Sequence, residues 1–130
     1  MKQVLFLDGV ASFAWLQLHE YIDALSKEFF IIAEGGPASH AVDSLLAGHQ
    51  YAYSLGRLAD GCCLVVNCTC SEEEWKIHNQ GDFKIADKLH KEEFIKLAEA
   101  GVEIVEVNVS ELPLVDAAKA VMKAAIGKGE

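Results

Sequence analysis

Four short runs of Val, Ile, Leu and Phe punctuate the chain, at residues 4–7, 29–33, 63–67 and 102–107, and the apolar positions between them fall into helical spacing. The first three runs are apolar at consecutive positions, as expected of strands covered on both faces of a parallel sheet. The fourth alternates: Val102, Ile104 and Val107 are apolar while Glu103 and Glu106 are charged, which predicts an edge strand. In the first helical stretch Ala14, Leu18, Tyr21, Ile22 and Leu25 recur at i, i+4, i+7, i+8 and i+11, with Ser12 as the expected N-cap. Phe13, Trp15 and Leu16 widen that apolar face, in the manner of deep burial or of a contact with another subunit.

Gly35-Gly36-Pro37 opens a second helix in which Ala38, Ala41, Val42, Leu45 and Leu46 face inward, and Gly48 supplies its end. Residues 49–60 mix both periods and are read as one short helix. Ser71 followed by Glu74 is a capping box and starts the next helix. The pattern breaks over residues 78–82, then resumes through Ile85, Leu89, Phe94, Leu97 and Ala98 to a stop at Gly101. A last helix begins near Pro113 and carries Leu114, Ala118, Val121, Met122 and Ala125 inward.

Strands and helices alternate throughout, and right-handed crossovers then predict a single α/β domain over residues 1–130. The expected architecture has three layers: a doubly wound, four-stranded, mainly parallel sheet of order 2-1-3-4, with helices on both faces. In that order the switch point lies between the first and third strands, so a ligand is expected where their carboxyl ends open into loops. The candidate ligand-binding residues are accordingly Asp8, Gly9 and Ser12 from one loop, Gly35 and Gly36 from a second, and Asn67, Thr69 and Ser71 from a third. The segment from about Trp75 to Asp82, with His78, is placed to cover them as a lid.

Composition narrows the partners. A formal charge of −9 argues against a surface for DNA or RNA, and 52% hydrophobic residues exclude intrinsic disorder. No apolar run approaches a membrane span and the first residues lack the pattern of a signal peptide, so a soluble, cytoplasmic protein with reduced thiols is expected. The wide apolar face of the first helix and the predicted edge strand offer two docking places, so a homo-oligomer is expected beside a small-molecule ligand or partner protein.

The four cysteines form two pairs. Cys62 and Cys63 enter the third strand and read as small core residues. Cys68 and Cys70 fall at its carboxyl end, just ahead of a helix N-terminus that favours thiolate, while Glu72, Glu73 and Glu74 oppose it. Two functions follow. In one, Cys70 or Cys68 carries thiol-dependent chemistry of a sulfur-transfer or redox type; in the other, the domain is a non-catalytic ligand-binding or assembly module and the cysteines are structural. A lone C-x-C with His78 or His90 falls short of a zinc pattern, and no metal or cofactor is assigned. His90, beside Lys91, is expected to be solvated, His40 to point toward the crevice, and His19 and His49 to rim apolar faces.

The order of elements, with Cys68 or Cys70 at the carboxyl end of the third strand, resembles the DsrE/TusD-like sulfur-transfer proteins. That resemblance implies a persulfide-carrying cysteine and oligomeric assembly. The opening up to Asp8 is similar to that of haloacid-dehalogenase-type phosphatases, but Phe6 stands where their nucleophilic aspartate is required. Asp8 is therefore kept as a strand-end carboxylate that caps a helix or touches a ligand.

Overall fold

The computed structural model describes residues 2–25, 31–48, 58–59 and 61–126. Four parallel strands form one sheet: β1 (Val4–Asp8), β2 (Ile31–Glu34), β3 (Cys63–Thr69) and β4 (Ile104–Asn108), in the order β2-β1-β3-β4. The predicted order and the edge position of the fourth strand are both found. Five helices accompany the sheet among the described residues: α1 (Trp15–Leu25), α2 (Pro37–Leu46), α3 (Glu72–His78), α4 (Phe83–Glu99) and α5 (Leu114–Ile126). The expected helix over 49–60 lies almost wholly outside the described residues, as does His49.

Strand periodicity sorts the side chains into two layers. Leu5, Leu7, Leu64, Val66 and Cys68 join Leu18 and Ile22 of α1 and Ala117, Ala118, Val121 and Ala125 of α5 in the larger core. On the opposite face Val65 meets Ala38 of α2 and Phe94 and Leu97 of α4, with Phe6 and Ile104 packed against them. The small alanines of α5 let it lie close to α1 and the sheet. Asp8 has the same parity as Phe6, so it falls on the layer shared by α2 and α4.

Several expectations are corrected. Strand β2 is at an edge, as the predicted order has it, but it is not covered on both faces as its consecutive apolar residues led one to expect: Ile31 is 67% exposed. Ser12 does not cap α1: a 3-10 turn over Ser12–Ala14 precedes the helix, and its N-cap position is Ala11, without a side-chain bond. Tyr21, Leu25, Leu45 and Leu46 are exposed, because α1 and α2 bury narrower stripes than their apolar composition allows. The face of α4 is rotated from the expected one. Its buried residues are His90, Glu93, Phe94 and Leu97, whereas Ile85 is exposed. Cys62 is exposed and only Cys63 of that pair is buried.

The segment expected to act as a lid is built into the fold. Ser71 Oγ accepts from the Glu74 amide at 3.2 Å to start α3, as the capping box predicts. The Asp82 carboxylate caps α4 through the amides of Lys84 and Ile85. Between these two helices Trp75 is buried, with its ring edge-on to Phe83 at 5.6 Å.

Candidate functional site

The site begins at the carboxyl end of β1, where Asp8 is fully buried. Its carboxylate reaches the first turn of α2. Oδ2 accepts from the Ala38 amide at 2.9 Å, and Oδ1 accepts from the Ser39 amide at 2.8 Å and the Ser39 hydroxyl at 2.5 Å. Oδ1 also accepts from the Gly9 amide at 2.8 Å. The N-cap of α2 is Gly36, which has no side chain, and Pro37 at N1 has no amide hydrogen. Asp8 thus supplies the cap across thirty residues of chain, satisfying the two amides that the helix cannot, while the His40 amide bonds to Gly36 O. A negative charge at that terminus is also favoured by the helix dipole.

Behind this cap stands His90 of α4. Its Nδ1 lies 2.7 Å from Ala86 O, and a carbonyl only accepts, so Nδ1 carries the proton. Its Nε2 lies 3.4 Å from Ser39 Oγ. The Ser39 hydroxyl has one hydrogen, committed to Asp8 by the shorter bond, so its oxygen turns lone pairs toward Nε2. For the same reason Ser39 is a poor nucleophile: the hydrogen that a base at His90 has to remove is held by Asp8.

These groups line a cleft of about 260 Å³ between α2 and α4, at the carboxyl ends of β1 and β3. Gly9, Val10, Ser12 and Trp15 form one wall; Ser39, Val42, Asp43 and Leu46 of α2 form another; Trp75, Asn79, Ala86 and His90 close the third. The indole of Trp15 is pinned by a bond from Nε1 to Asp8 O at 3.0 Å. The cleft sits at the switch point where this sheet order is expected to bind ligands.

Compared with protein-family models, with curated proteins and with solved structures, the chain shows no match in any of the three.

Of the residues proposed from sequence, Gly9 and Ser12 line the cleft and Asp8 braces it from behind. Gly36 packs directly on the Asp8 carboxylate. Gly35, Asn67, Thr69 and Ser71 are not among the lining residues. Thr69 Oγ1 bonds to Val107 O at 3.4 Å, and the Ser71 amide bonds to Ser110 Oγ at 2.9 Å, so both tie β3 to the β4 side. His78 turns away from the cleft and stacks on Phe13, with ring centroids 4.2 Å apart. Together with Glu74, Val109 and Leu114 they border a second hollow of about 310 Å³. His40 is exposed and does not line the cleft. His19 is held between Glu34, at 2.9 Å from Nδ1, and Asp23, at 3.4 Å from Nε2. The two carboxylates approach opposite ring nitrogens, so they do not converge on a metal. Among the described residues no group of His, Cys, Asp and Glu is arranged to hold a metal ion.

His90 is the main correction: expected in solvent, it is 9% exposed and faces the cleft. The signal was present in the sequence, because His90, Phe94 and Leu97 share the i, i+4, i+7 stripe of α4. Trp15, Ser39 and Asp43 are further lining residues that strand-end reasoning missed, and they come from helices; Trp75 and Asn79 belong to the segment expected to cover the site.

The two candidate cysteines lie on the other layer. Strand β3 runs on to Thr69, so Cys68 is inside it and not in a loop, fully buried in the core shared by α1 and α5. Burial, with the nearby Asp8 charge, pushes its thiol far up from the ordinary value. Cys70 belongs to the same core, and burial followed by the charges of Glu74 and Asp87 pushes its thiol up to about 11. At pH 7.5 its thiolate fraction is on the order of 100-fold below that of an ordinary thiol. Alkylation at that pH is therefore expected to mark exposed Cys62 first, with Cys70 accelerating only as the pH climbs toward 11. Peptide mass spectrometry of a timed iodoacetamide reaction checks this, and fast, selective labelling of Cys70 at neutral pH would contradict it. The same shift has a stability consequence. The unfolded thiol ionises near 9 and the folded one near 11, so the contribution is intact below 9 and is lost as the pH rises through that window.

Proposed function

We propose that the protein binds a small organic molecule in the cleft between α2 and α4, oriented by the polar groups on its walls. The observation that carries this reading is the convergence, at the switch point of the sheet, of two indoles with an imidazole whose proton position is fixed by Ala86 O. Recognition at such a site rests on apolar contact for affinity and on a few placed polar groups for orientation. Trp15 and Trp75, with Val10, Val42 and Leu46, supply the first; His90, Asp43, Ser12 and Asn79 supply the second. Asp8 makes the cleft rigid by tying β1 to α2, so little ordering cost falls on the binding step.

Thiol chemistry at Cys70 or Cys68 is the rival reading. Its support is the placement of Cys70 just after β3 and ahead of α3. Against it stand the burial of both cysteines, neither of which is among the residues lining the cleft, and the raised Cys70 thiol.

A fragment library screened by heteronuclear NMR separates the two. Binders are expected to shift the indole N–H signals of Trp15 and Trp75 and the amides of Gly9 and Asn79. His90→Ala is expected to weaken them about tenfold, while Cys70→Ser leaves them unchanged. Binders that act only through Cys70, or that move only Phe13 and His78, would overturn the assignment.

A further inference from the structure

The hydrogen-bonding groups of the cleft are not evenly divided between donors and acceptors. Four donors on its walls are already committed to the protein itself. Trp15 Nε1 donates to Asp8 O, the Gly9 amide and the Ser39 hydroxyl donate to Asp8 Oδ1, and His90 Nδ1 donates to Ala86 O. His90 Nε2 is directed at Ser39 Oγ, 3.4 Å away, which leaves Asp43, an exposed residue with no salt bridge among the described residues, as the charged group on the cleft wall. Ser12 and Asn79 can serve in either sense, the latter with Nδ2 already turned to Trp75 O at 3.1 Å. Among the described residues no lysine or arginine lines the cleft beside Asp43. The chain as a whole carries a formal charge of −9.

A carboxylate with no cation beside it among the described residues selects a ligand that donates and is positive. Two indoles in the same cleft add faces to which a cation is attracted. An anion has the opposite experience: it loses its hydration, meets Asp43, and finds the nearest donors turned inward. We propose that the ligand is a small organic cation, a protonated amine carried on an apolar body on the order of ten non-hydrogen atoms in size. The amine would meet Asp43, and its apolar body would lie against Trp15 and Trp75. This inference rests on the cleft being the binding site.

Three probes with nearly the same body and different charge test it: 2-phenylethylamine, 2-phenylethanol and 3-phenylpropionate, each titrated into the full chain and followed by the NMR signals of Gly9, Trp15, Asn79 and His90. The amine is expected to bind about tenfold tighter than the alcohol, and the carboxylate weakest of all. Asp43→Asn, a change at an exposed position, is expected to weaken the amine about three- to fivefold and leave the alcohol unchanged, and added salt is expected to narrow the gap in the parent protein. If the alcohol or the carboxylate shifts the same signals with equal or greater affinity, the inference on charge is overturned while the cleft stands as a binding site. If none of the three moves any cleft signal, both are overturned.

Discussion

Replacing Asp8 with alanine is expected to lower the stability of the domain by about 3–5 kcal/mol, because buried donors left without a partner cost roughly 1–3 kcal/mol each. Four donors depend on this one carboxylate: the amides of Gly9, Ala38 and Ser39 and the Ser39 hydroxyl. Asp8 is fully buried, so water cannot simply take its place unless the turn opens. Asp8→Asn should fall between the two, since the amide keeps one acceptor oxygen but turns an N–H toward groups that also donate. Ser39→Ala removes a single hydroxyl bond and should cost about 1 kcal/mol. Chemical denaturation of the three variants checks the order. If Asp8→Ala were as stable as Ser39→Ala, the carboxylate would not be the cap that holds α2. The same series tests the cleft, because loosening α2 displaces Ser39, Val42 and Asp43 together and should weaken any cleft ligand more than it alters α4.

The architecture was legible because it rests on period and punctuation. Three doubly apolar runs, one alternating run and the intervening helical stripes leave few topologies once crossovers are right-handed. The observed order is the one they predict. The candidate cleft was legible only in part. Of the strand-end loops named, the one after β1 reaches it through Gly9 and Ser12, but most of the described cleft wall comes from α2, α3 and α4, which no local motif marks. His90 is the instructive case. A histidine beside Lys91 on a charged helix looks solvated when its neighbours in sequence are read, and it looks inward when its neighbours at i+4 and i+7, Phe94 and Leu97, are read instead. Asp8 was recognised as a cap or a ligand contact, but the helix that it caps is not the one that follows it. Such a pairing depends on which face of β1 the side chain leaves from, and on the β1–β2 register that brings Leu7 opposite Glu34 and α2 back over the strand. Cys68 was misplaced for a related reason: β3 continues two residues past the run at 63–67, through Cys68 to Thr69, because β4 pairs with it there.

Two glycines border Asp8, and their replacement by alanine should separate conformational from steric need. Gly9 has φ +95°, a region unfavourable to any residue with a Cβ, and an added methyl would meet the Cys68 carbonyl and its amide nitrogen in strand β3. Gly36 has φ −133°, which alanine adopts freely, yet its added methyl would lie 2.5 Å from Asp8 Oδ2 and 2.9 Å from Asp8 Cβ. Gly9→Ala is expected to cost about 3 kcal/mol or more, combining backbone strain with a clash against the strand, and Gly36→Ala about 2–3 kcal/mol from overpacking. The decisive comparison is in the Asp8→Ala background. There the two closest atoms in the way of the Gly36 methyl, Oδ2 and Cγ, are gone and only the Cβ of residue 8, at 2.9 Å, remains, so the cost of Gly36→Ala should fall to about 1–2 kcal/mol, nearer the ordinary penalty of alanine at an N-cap. The cost of Gly9→Ala should persist, because Cys68 and the positive φ are unaffected. A double-mutant cycle by urea denaturation measures both couplings. A Gly36→Ala penalty undiminished by the loss of Asp8 would mean that Gly36 serves the chain path into α2 and not the close approach of the carboxylate.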